Sequence, residues 1–371
     1  MALVSPRAVP RYIERYGYAF SWRRLWNASK VLASMGLSWS LRRPIVWGRP
    51  FMLMVEPTNL CNLRCPLCPS GNGEMSRERG NMDLGHYRKL IDETGDDLVL
   101  LLLWNQGEPF INKGLAEMIR YAHEKRIPTI TSTNGHFVRS REEALELVDS
   151  GLDEIIISLD GVDQETYERY RVGGKLERVL EAARLLAEAK RERGSRTPLV
   201  NLQFIVFRHN EEDLTEAVRL ARELEADQFL VKTAQVYSPE EAATFLPEQD
   251  LYRRYEGLEE NGRPPGPEGN GLRVKGQPAR GCKVLWYSSM VNWNGDVAPC
   301  CFDKDVDYRL GNAFSADAAN GREGAFGEAW RGRAYADFRR TVHTDRGAVD
   351  MCSNCSEGYR GMFSLVKELR G

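Results

Sequence analysis

The middle of this chain lacks cysteine. Of the eight cysteines in 371 residues, none lies between Cys68 and Cys282, and all fall into two groups towards the two ends. A disulfide-stabilised fold would be smaller and richer in loops, whereas clustered cysteines in reducing cytoplasm more often bind metal. The uneven distribution therefore favours metal binding over a disulfide scaffold.

Long apolar runs and a strong net charge are also missing. The longest strongly apolar run, Leu98 to Trp104, is too short to span a bilayer, and Met1 to Arg15 contains no apolar core of a secretory signal. The net charge of −2 argues against a general nucleic-acid binder, so no nucleic-acid partner is expected. These absences predict a cytoplasmic globular protein.

Strand-like and helix-like stretches alternate from Phe51 to about Ala234. The polar helical stretches include Lys175–Arg193 and Glu211–Glu225. Six such repeats predict an α/β fold with a parallel sheet, and they are too few for a closed eight-stranded barrel. We therefore expect a partial (β/α)6 barrel with functional groups at the carboxyl ends of its strands. The predicted strands are Phe51–Glu56, Leu98–Trp104, Thr129–Thr133, Glu154–Leu159, Leu199–Phe207 and Gln228–Thr233.

Residues 1–50 are basic and aromatic. They contain nine Arg or Lys residues against one acidic residue, Glu14, with four Trp and three Tyr. Ser21 is a candidate cap of a helix that ends at Gly36. Two roles stay open, a helix packed on the enzyme's own body or a surface for anionic lipid or another anionic partner. The apolar side chains of that helix share one face: Trp22, Leu25, Trp26, Leu32 and Met35.

The first cysteine group, Cys61, Cys65 and Cys68, follows the first predicted strand directly with C-x3-C-x2-C spacing. Structural zinc needs four protein ligands, and no His is near enough in sequence to complete the set. A four-iron cluster can instead use three thiolates and leave one iron open for substrate. The spacing alone leaves zinc or an incomplete structural site as the alternative.

Strand, cysteine motif and β/α repeats together resemble the radical S-adenosylmethionine (SAM) superfamily, over about Phe51 to Thr233. The resemblance implies a [4Fe-4S] cluster whose open iron binds the amino and carboxylate groups of SAM. One-electron reduction then breaks the SAM C–S bond and gives a 5′-deoxyadenosyl radical. Gln106 stands where the family's GGEP motif has its first Gly. The resemblance assigns SAM binding to Gly107, Glu108 and Pro109 after the second strand, Ser132 and Asn134 after the third, Ser158 and Asp160 after the fourth, and Arg171, whose guanidinium suits the SAM carboxylate.

The second cysteine group is spread over a longer stretch. Asn294-Gly295, flanked by apolar residues, predicts a hairpin turn that brings Cys282 back towards Cys300. Cys352 and Cys355 supply a second pair. Four thiolates can enclose zinc or an iron–sulfur cluster, and local chemistry does not decide between them.

The run from Trp293 to Asp303 resembles the SPASM/twitch extension that follows radical SAM cores. A full SPASM domain has seven cysteines, whereas this region has five and none after Cys355. The resemblance therefore implies one auxiliary cluster, the twitch arrangement. Cys301 is left over, and we expect a small buried residue there, with an alternative cluster ligand or a hydrogen-atom donor as its catalytic alternatives. The implied ligands are Cys282, Cys300, Cys352 and Cys355.

Candidate acid–base groups are few. Asp303 follows the second group's cysteines, where a solvent-facing turn residue is the expectation. His136, just after the third strand, is the histidine nearest to the expected active site, and no base is assigned. The histidines that fit no ligand spacing are His86, His123, His136, His209 and His343.

The resemblance implies a radical SAM oxidoreductase with two [4Fe-4S] clusters and SAM, served by an electron donor such as flavodoxin or ferredoxin. Because an auxiliary cluster can accept an electron from a substrate radical, a two-electron oxidation (dehydrogenation) of a small molecule is the first expectation. Peptide or protein side-chain modification or crosslinking, and epimerisation, stay open. The alternative from another class is a non-catalytic metal-stabilised scaffold or membrane adaptor. The expected segments are 1–50, a radical SAM core at 51–236, a linker region at 237–281 and a cysteine-rich twitch/SPASM-like domain at 282–371.

Overall fold

The computed structural model describes residues 16–256, 272–276, 280–315, 324–353, 355–356 and 364–369. Its strands are β1 (Met52–Val55), β2 (Leu100–Leu103), β3 (Thr129–Thr133), β4 (Glu154–Ser158), β5 (Leu199–Val206), β6 (Gln228–Thr233), β7 (Ser288–Val291), β8 (Asp296–Ala298), β9 (Gly311–Asn312) and β10 (Ser364–Glu368). Within the described residues these strands form one sheet in the order β10-β6-β5-β4-β3-β2-β1-β7-β8-β9. Neighbouring strands from β1 to β6 are parallel, which confirms the predicted β/α core.

Helices connect the parallel strands and cover the sheet. The helix Leu176–Arg193 (α7) buries an apolar stripe, in which Val179, Ala182 and Leu186 recur at helical spacing. Ser140 and Asp163 start the two preceding helices by accepting backbone N–H groups. The helices are α1 (Trp22–Leu41), α2 (Pro69–Asn72), α3 (Leu84–Thr94), α4 (Leu115–Glu124), α5 (Arg141–Asp149), α6 (Gln164–Tyr170), α7 (Leu176–Arg193), α8 (Leu214–Glu223), α9 (Pro239–Phe245), α10 (Val284–Tyr287), α11 (Ala325–Arg331), α12 (Arg333–Thr344) and α13 (Asp350–Ser353).

The C-terminal region continues the sheet of the core. β7 pairs in parallel with β1, placing Met290 beside Met54 and Val291 beside Val55. β7 and β8 form the predicted hairpin, whose turn places Gly295 at φ +89°, a conformation suited to glycine. At the other edge, β10 pairs antiparallel with β6. Chain segments from the cysteine-rich region therefore extend both edges of the partial barrel.

Part of the predicted linker region is folded. α9 begins at Ser238, whose hydroxyl accepts from the Glu241 amide. Tyr255 is buried, and its hydroxyl donates to the Val236 carbonyl at 3.1 Å. The Pro- and Gly-rich part of that linker region spans 261–281, and its residues 261–271 and 277–279 lie outside the described residues. The prediction of a linker thus fails for 237–256, where apolar side chains pack at the end of the barrel.

α1 crosses the amino ends of the core strands. Arg24 is buried and donates to the carbonyls of Gly95 at 3.0 Å and Lys125 at 2.9 Å, in the loops before β2 and β3. Asn27 exchanges hydrogen bonds with the Arg49 backbone. Ser21 occupies the N-cap position without a side-chain cap bond. The helix is longer than predicted, and among the described helices none is long and apolar enough to cross a membrane.

Candidate active site

The first cysteine group lines a cavity of about 110 Å³ at the carboxyl ends of the core strands. Cys61, Cys65 and Cys68 lie on the loop after β1, and residues at the ends of β2, β3 and β4 complete the wall. This is the location that parallel α/β sheets use for ligands. The predicted SAM-binding residues that line the cavity are Gly107, Glu108, Pro109, Ser132, Asn134, Ser158 and Arg171.

The three thiols of the first group suit the three protein ligands of a four-iron cluster. Burial raises the pKa of the Cys61 thiol to about 11 and raises that of Cys65. Among the described residues, no three Cys, His, Asp or Glu side chains converge as ligands of one metal ion. Thiolates of a four-iron cluster bind different irons, so they need only face a common cavity.

Glu108 is a buried carboxylate in the cavity wall. One oxygen accepts from the Thr133 hydroxyl at 2.9 Å, and the other accepts from the Asn134 amide at 2.7 Å. Burial is the main cause that raises the pKa of Glu108 to about 7, and these hydrogen bonds oppose it. The geometry leaves a carboxylate with a pKa near neutrality beside the cysteine loop, where it can recognise an amine.

Gly107 lies where no side chain fits. Its φ is +77°, and a Cβ atom there would lie 2.6 Å from the Leu60 carbonyl oxygen. The chain can therefore bring the Glu108 backbone against the cysteine loop, where the Glu108 amide donates to Leu60 at 2.7 Å. Gln106, the departure from the family motif, is buried, and its Oε1 accepts from Ser70 at 3.3 Å and lies 3.8 Å from the Cys68 sulfur. Gln106 supports the cysteine loop without occupying the Gly107 turn.

Arg171 and Asp160 form a buried ion pair. Arg171 Nε donates to Asp160 Oδ2 at 2.7 Å, and Nη1 lies 3.9 Å from the Cys65 sulfur. The other Asp160 oxygen accepts from the Ile205 amide at 2.6 Å. Asp160 does not line the cavity. Its carboxylate orients Arg171, which does. Direct contact of Arg171 with the SAM carboxylate stays a prediction.

His136 is a structural residue in this site. The Lys175 amide donates to its Nε2 at 2.8 Å, so Nδ1 carries the proton and donates to the Asn134 carbonyl at 2.9 Å. Burial lowers the pKa of His136. Both ring nitrogens are engaged in holding the turn after β3 against α7. In these contacts His136 positions Asn134, whose amide group donates to Asn62 at 2.8 Å.

Sequence reasoning missed Glu56 and Arg77. The Glu56 carboxylate is fully buried at the end of β1 and accepts two hydrogen bonds from Arg77. It also accepts from the Asn105 side chain at 3.2 Å. The sequence did contain a signal for this pair, since an acidic residue ends an apolar strand directly before the cysteine motif. Such a residue is buried only when it is paired, so its position indicates a basic partner.

The auxiliary cysteines lie on separate elements of the SPASM region. Burial is the main cause that raises the pKa of Cys300, and the thiols of Cys301, Cys282 and Cys355 add to it in that order. Burial raises the pKa of Cys352 to about 11, with a further contribution from Cys282. Arg346 donates to the Cys355 carbonyl at 3.1 Å. That Cys282, Cys300, Cys352 and Cys355 bind one cluster stays a prediction.

Two expectations for this region were wrong. Cys301 is exposed, because it enters the turn that leaves β8, and it interacts electrostatically with Lys232 on β6. Asp303 is 2% exposed and does not face solvent. Its oxygens accept from the amides of Asp307 at 2.9 Å and Tyr308 at 3.1 Å, which closes the turn. Burial raises the pKa of Asp303 to about 6.

Lys304 is a third residue that the sequence did not reveal. Its amino group contacts the Tyr237 hydroxyl and lies 4.2 Å from the centre of the Tyr237 ring. Burial lowers the pKa of Lys304 to about 8, and the Cys68 thiol opposes that shift. A lysine from the cysteine-rich region therefore lies near the first cysteine group.

Family models match the two cysteine-bearing parts of the chain. The Radical SAM superfamily model matches residues 55–224, and the SPASM model, an iron–sulfur cluster-binding domain, matches residues 282–356. The chain belongs to the radical SAM superfamily and carries a C-terminal SPASM domain. It is therefore a radical SAM enzyme whose cofactors are SAM and [4Fe-4S] clusters, including an auxiliary cluster in the SPASM domain.

Proteins similar to this radical SAM enzyme differ in length and in the activity that their names give. PqqA peptide cyclase of Granulibacter bethesdensis is 31% identical over 191 residues, which are 51% of this chain and 48% of the cyclase. The tungsten-containing aldehyde ferredoxin oxidoreductase cofactor-modifying protein of Pyrococcus furiosus is 25% identical over 327 residues, 82% of this chain and 86% of that protein. SuiB of Streptococcus suis bound to SAM has a TM-score of 0.59 at 18% identity, covering 85% of this chain and 72% of SuiB, and shares the fold. The chain spans about half the length of the first curated relatives that it matches.

Proposed function

We propose that this enzyme oxidises its substrate by two electrons, with Lys304 as proton acceptor. The observation that carries the proposal is the pairing of β7 with β1, which builds the SPASM region into the core sheet. The turn after Cys301 contacts the loop after the first cysteine group. Arg77 Nε donates to the Lys304 carbonyl at 2.7 Å, and the Ser76 amide donates to Asp305 at 2.7 Å.

The chemistry needs a group that takes up a proton. When bound, SAM and the clusters supply a hydrogen-abstracting radical and an electron acceptor. Removal of one hydrogen atom leaves a carbon radical, and loss of one proton and one electron from an adjacent O–H or N–H group completes a dehydrogenation. Lys304, with a pKa of about 8, is partly neutral near physiological pH and can take that proton.

We propose that the substrate carries an anionic group. Burial lowers the pKa of Lys232 at the carboxyl end of β6, and the nearby Arg254 lowers it further. The turn of Lys304 lies over the first cysteine loop, at the same carboxyl end of the barrel. An anion would relieve this repulsion, and a carboxylate of a small molecule or of a peptide would supply it.

A peptide is the second substrate candidate. One relative is named a peptide cyclase, and SuiB was also crystallised with its precursor peptide SuiA. The exposure of Cys301 favours one further reaction, epimerisation, in which its thiol donates a hydrogen atom to the substrate radical. Oxidation removes two hydrogens from the substrate, whereas epimerisation leaves its composition unchanged.

The test finds the substrate by label transfer. Reconstituted enzyme, SAM and reductant are incubated with fractions of a small-molecule and peptide extract from cells grown in heavy water. Hydrogen abstraction carries deuterium from the substrate into 5′-deoxyadenosine, which mass spectrometry detects. A product that has lost two hydrogen isotopes supports oxidation, and one of unchanged composition that has gained solvent hydrogen at carbon contradicts it in favour of epimerisation.

A further inference from the structure

α1 carries an exposed apolar face. Trp22 is 76% exposed, Trp26 68% and Leu32 53%, although large apolar side chains of a docked helix are expected to face the protein. The predicted apolar face is therefore, except for the half-buried Met35, the solvent-facing side. We call the following residues the exposed face of α1: Trp22, Leu25, Trp26, Leu32, Leu37 and Leu41.

The helix docks through its polar side. Arg24, Asn27, Ser34 and Ser38 are buried together with Val31, and they lie opposite the exposed face at helical spacing. Ser38 donates to the Ile45 carbonyl at 3.0 Å, one of several hydrogen bonds that fix this orientation. Rotating the helix to bury its apolar face would break the bonds of Arg24 and Asn27. The exposed face is thus set by the fold.

The charged residues of α1 and of the segments that flank it are all basic. No acidic residue occurs from Arg15 to Val55. Lys30 lies at the edge of the face, and Arg42 and Arg43 are exposed beyond the end of the helix. Asp96 is the acidic neighbour of the first turn, where Arg23 pairs with it at 2.6 Å.

We infer that the exposed face of α1 binds the surface of an anionic lipid bilayer, with the helix lying in the membrane plane. Trp and Leu side chains beside Lys and Arg are the composition of interfacial helices, and Trp prefers the headgroup region. A second copy of the chain would bring the same cations together, and a protein partner would not require the absence of acidic residues over the whole segment. α1 lies at the amino ends of the strands, so the active-site cavity at their carboxyl ends faces away from the bilayer.

Vesicle co-sedimentation of the reconstituted enzyme tests this inference. The probes are phosphatidylcholine vesicles with and without about 30% phosphatidylglycerol. Wild type is expected to bind the anionic vesicles in a salt-sensitive way. The W22Q/W26Q/L32Q variant and the R42Q/R43Q variant are each expected to lose at least about tenfold in partition coefficient, because they remove apolar burial and charge attraction respectively.

The matched control is L251Q/V366Q, which changes two exposed apolar residues elsewhere and should bind like wild type. Iron content and reductive SAM cleavage should be unchanged in all variants, which separates this inference from the proposed function. Three results would overturn it: no binding of wild type to either vesicle, equal binding of wild type and the triple variant, or a lipid-independent wild-type dimer that the triple variant abolishes, which would assign the face to a second copy.

Discussion

Both oxygens of the buried Glu56 carboxylate accept hydrogen bonds from the Arg77 guanidinium, at 2.5 and 2.7 Å. Arg77 also donates from Nε to the carbonyl of Lys304. One ion pair thus joins the end of β1, the loop after the first cysteine group and the SPASM region. Its position explains how the two cysteine-bearing parts of the chain are held in place relative to each other.

Arg77→Ala should lower the free energy of unfolding by about 3–5 kcal/mol, because it leaves the Glu56 carboxylate buried without its partner. Denaturant unfolding measures the change. The control is Arg191→Ala, which removes an exposed ion pair with Glu225 and should cost less than about 1 kcal/mol. Similar losses in the two variants would show that the Glu56 pair contributes no more than a surface pair.

Glu108 should make SAM binding depend on pH. Its pKa is raised to about 7, so the carboxylate that accepts hydrogen bonds from an amine is lost as pH falls below that value. SAM affinity should therefore rise up to about tenfold per pH unit below about pH 7 and level off above it, since binding releases the proton. Titration calorimetry across this range checks the slope. Glu108→Gln should bind about ten- to hundredfold more weakly with a flat profile, and a flat wild-type profile would contradict the assignment.

Replacing Cys61, Cys65 and Cys68 together by Ala should abolish SAM cleavage and leave about half of the iron. The wild type is expected to hold about eight irons, as two four-iron clusters. Iron and zinc are measured by elemental analysis after anaerobic reconstitution. Cys301→Ala is the control and should keep the full iron content. Zinc at one or two equivalents in place of iron would rule out the cluster assignment.

Lys304→Arg keeps the positive charge but removes a group that can be neutral near pH 8. Product formation should fall by about 10²–10⁴-fold while 5′-deoxyadenosine still forms, because the proton is taken up after hydrogen abstraction. In wild type the product rate should rise with pH through about 8. Lys125→Arg, at an exposed pair with Asp92, is the control. Unchanged product formation by Lys304→Arg would remove Lys304 from the mechanism.

The sequence predicts well whatever short segments determine locally. Runs such as Glu154–Ser158 are apolar and β-branched, so their strands and the polar residues that follow them could be placed in advance. Most of the residues assigned from motifs line one cavity for the same reason, since carboxyl ends of parallel strands meet at one edge.

Relations between distant segments could not be predicted in the same way. Nothing local to Ser288–Val291 shows that this strand pairs with Met52–Val55, and Lys304 reaches the first cysteine group only through that pairing. Periodicity gave α1 an apolar face but not its direction, which depends on Arg24 binding carbonyls of the loops before β2 and β3. Asp303 is buried because amides of its own turn satisfy it.

The number of product molecules formed per electron supplied tests the proposed oxidation most directly. Each oxidative turnover takes up one electron to cleave SAM and recovers one from the substrate radical, so no net electron is consumed. With the active extract fraction and a limiting amount of reduced flavodoxin, wild type should form more than one product molecule per electron. Epimerisation with Cys301 as donor would consume two electrons per product, one for SAM and one to restore the thiol. A ratio of about one half or less would contradict the account.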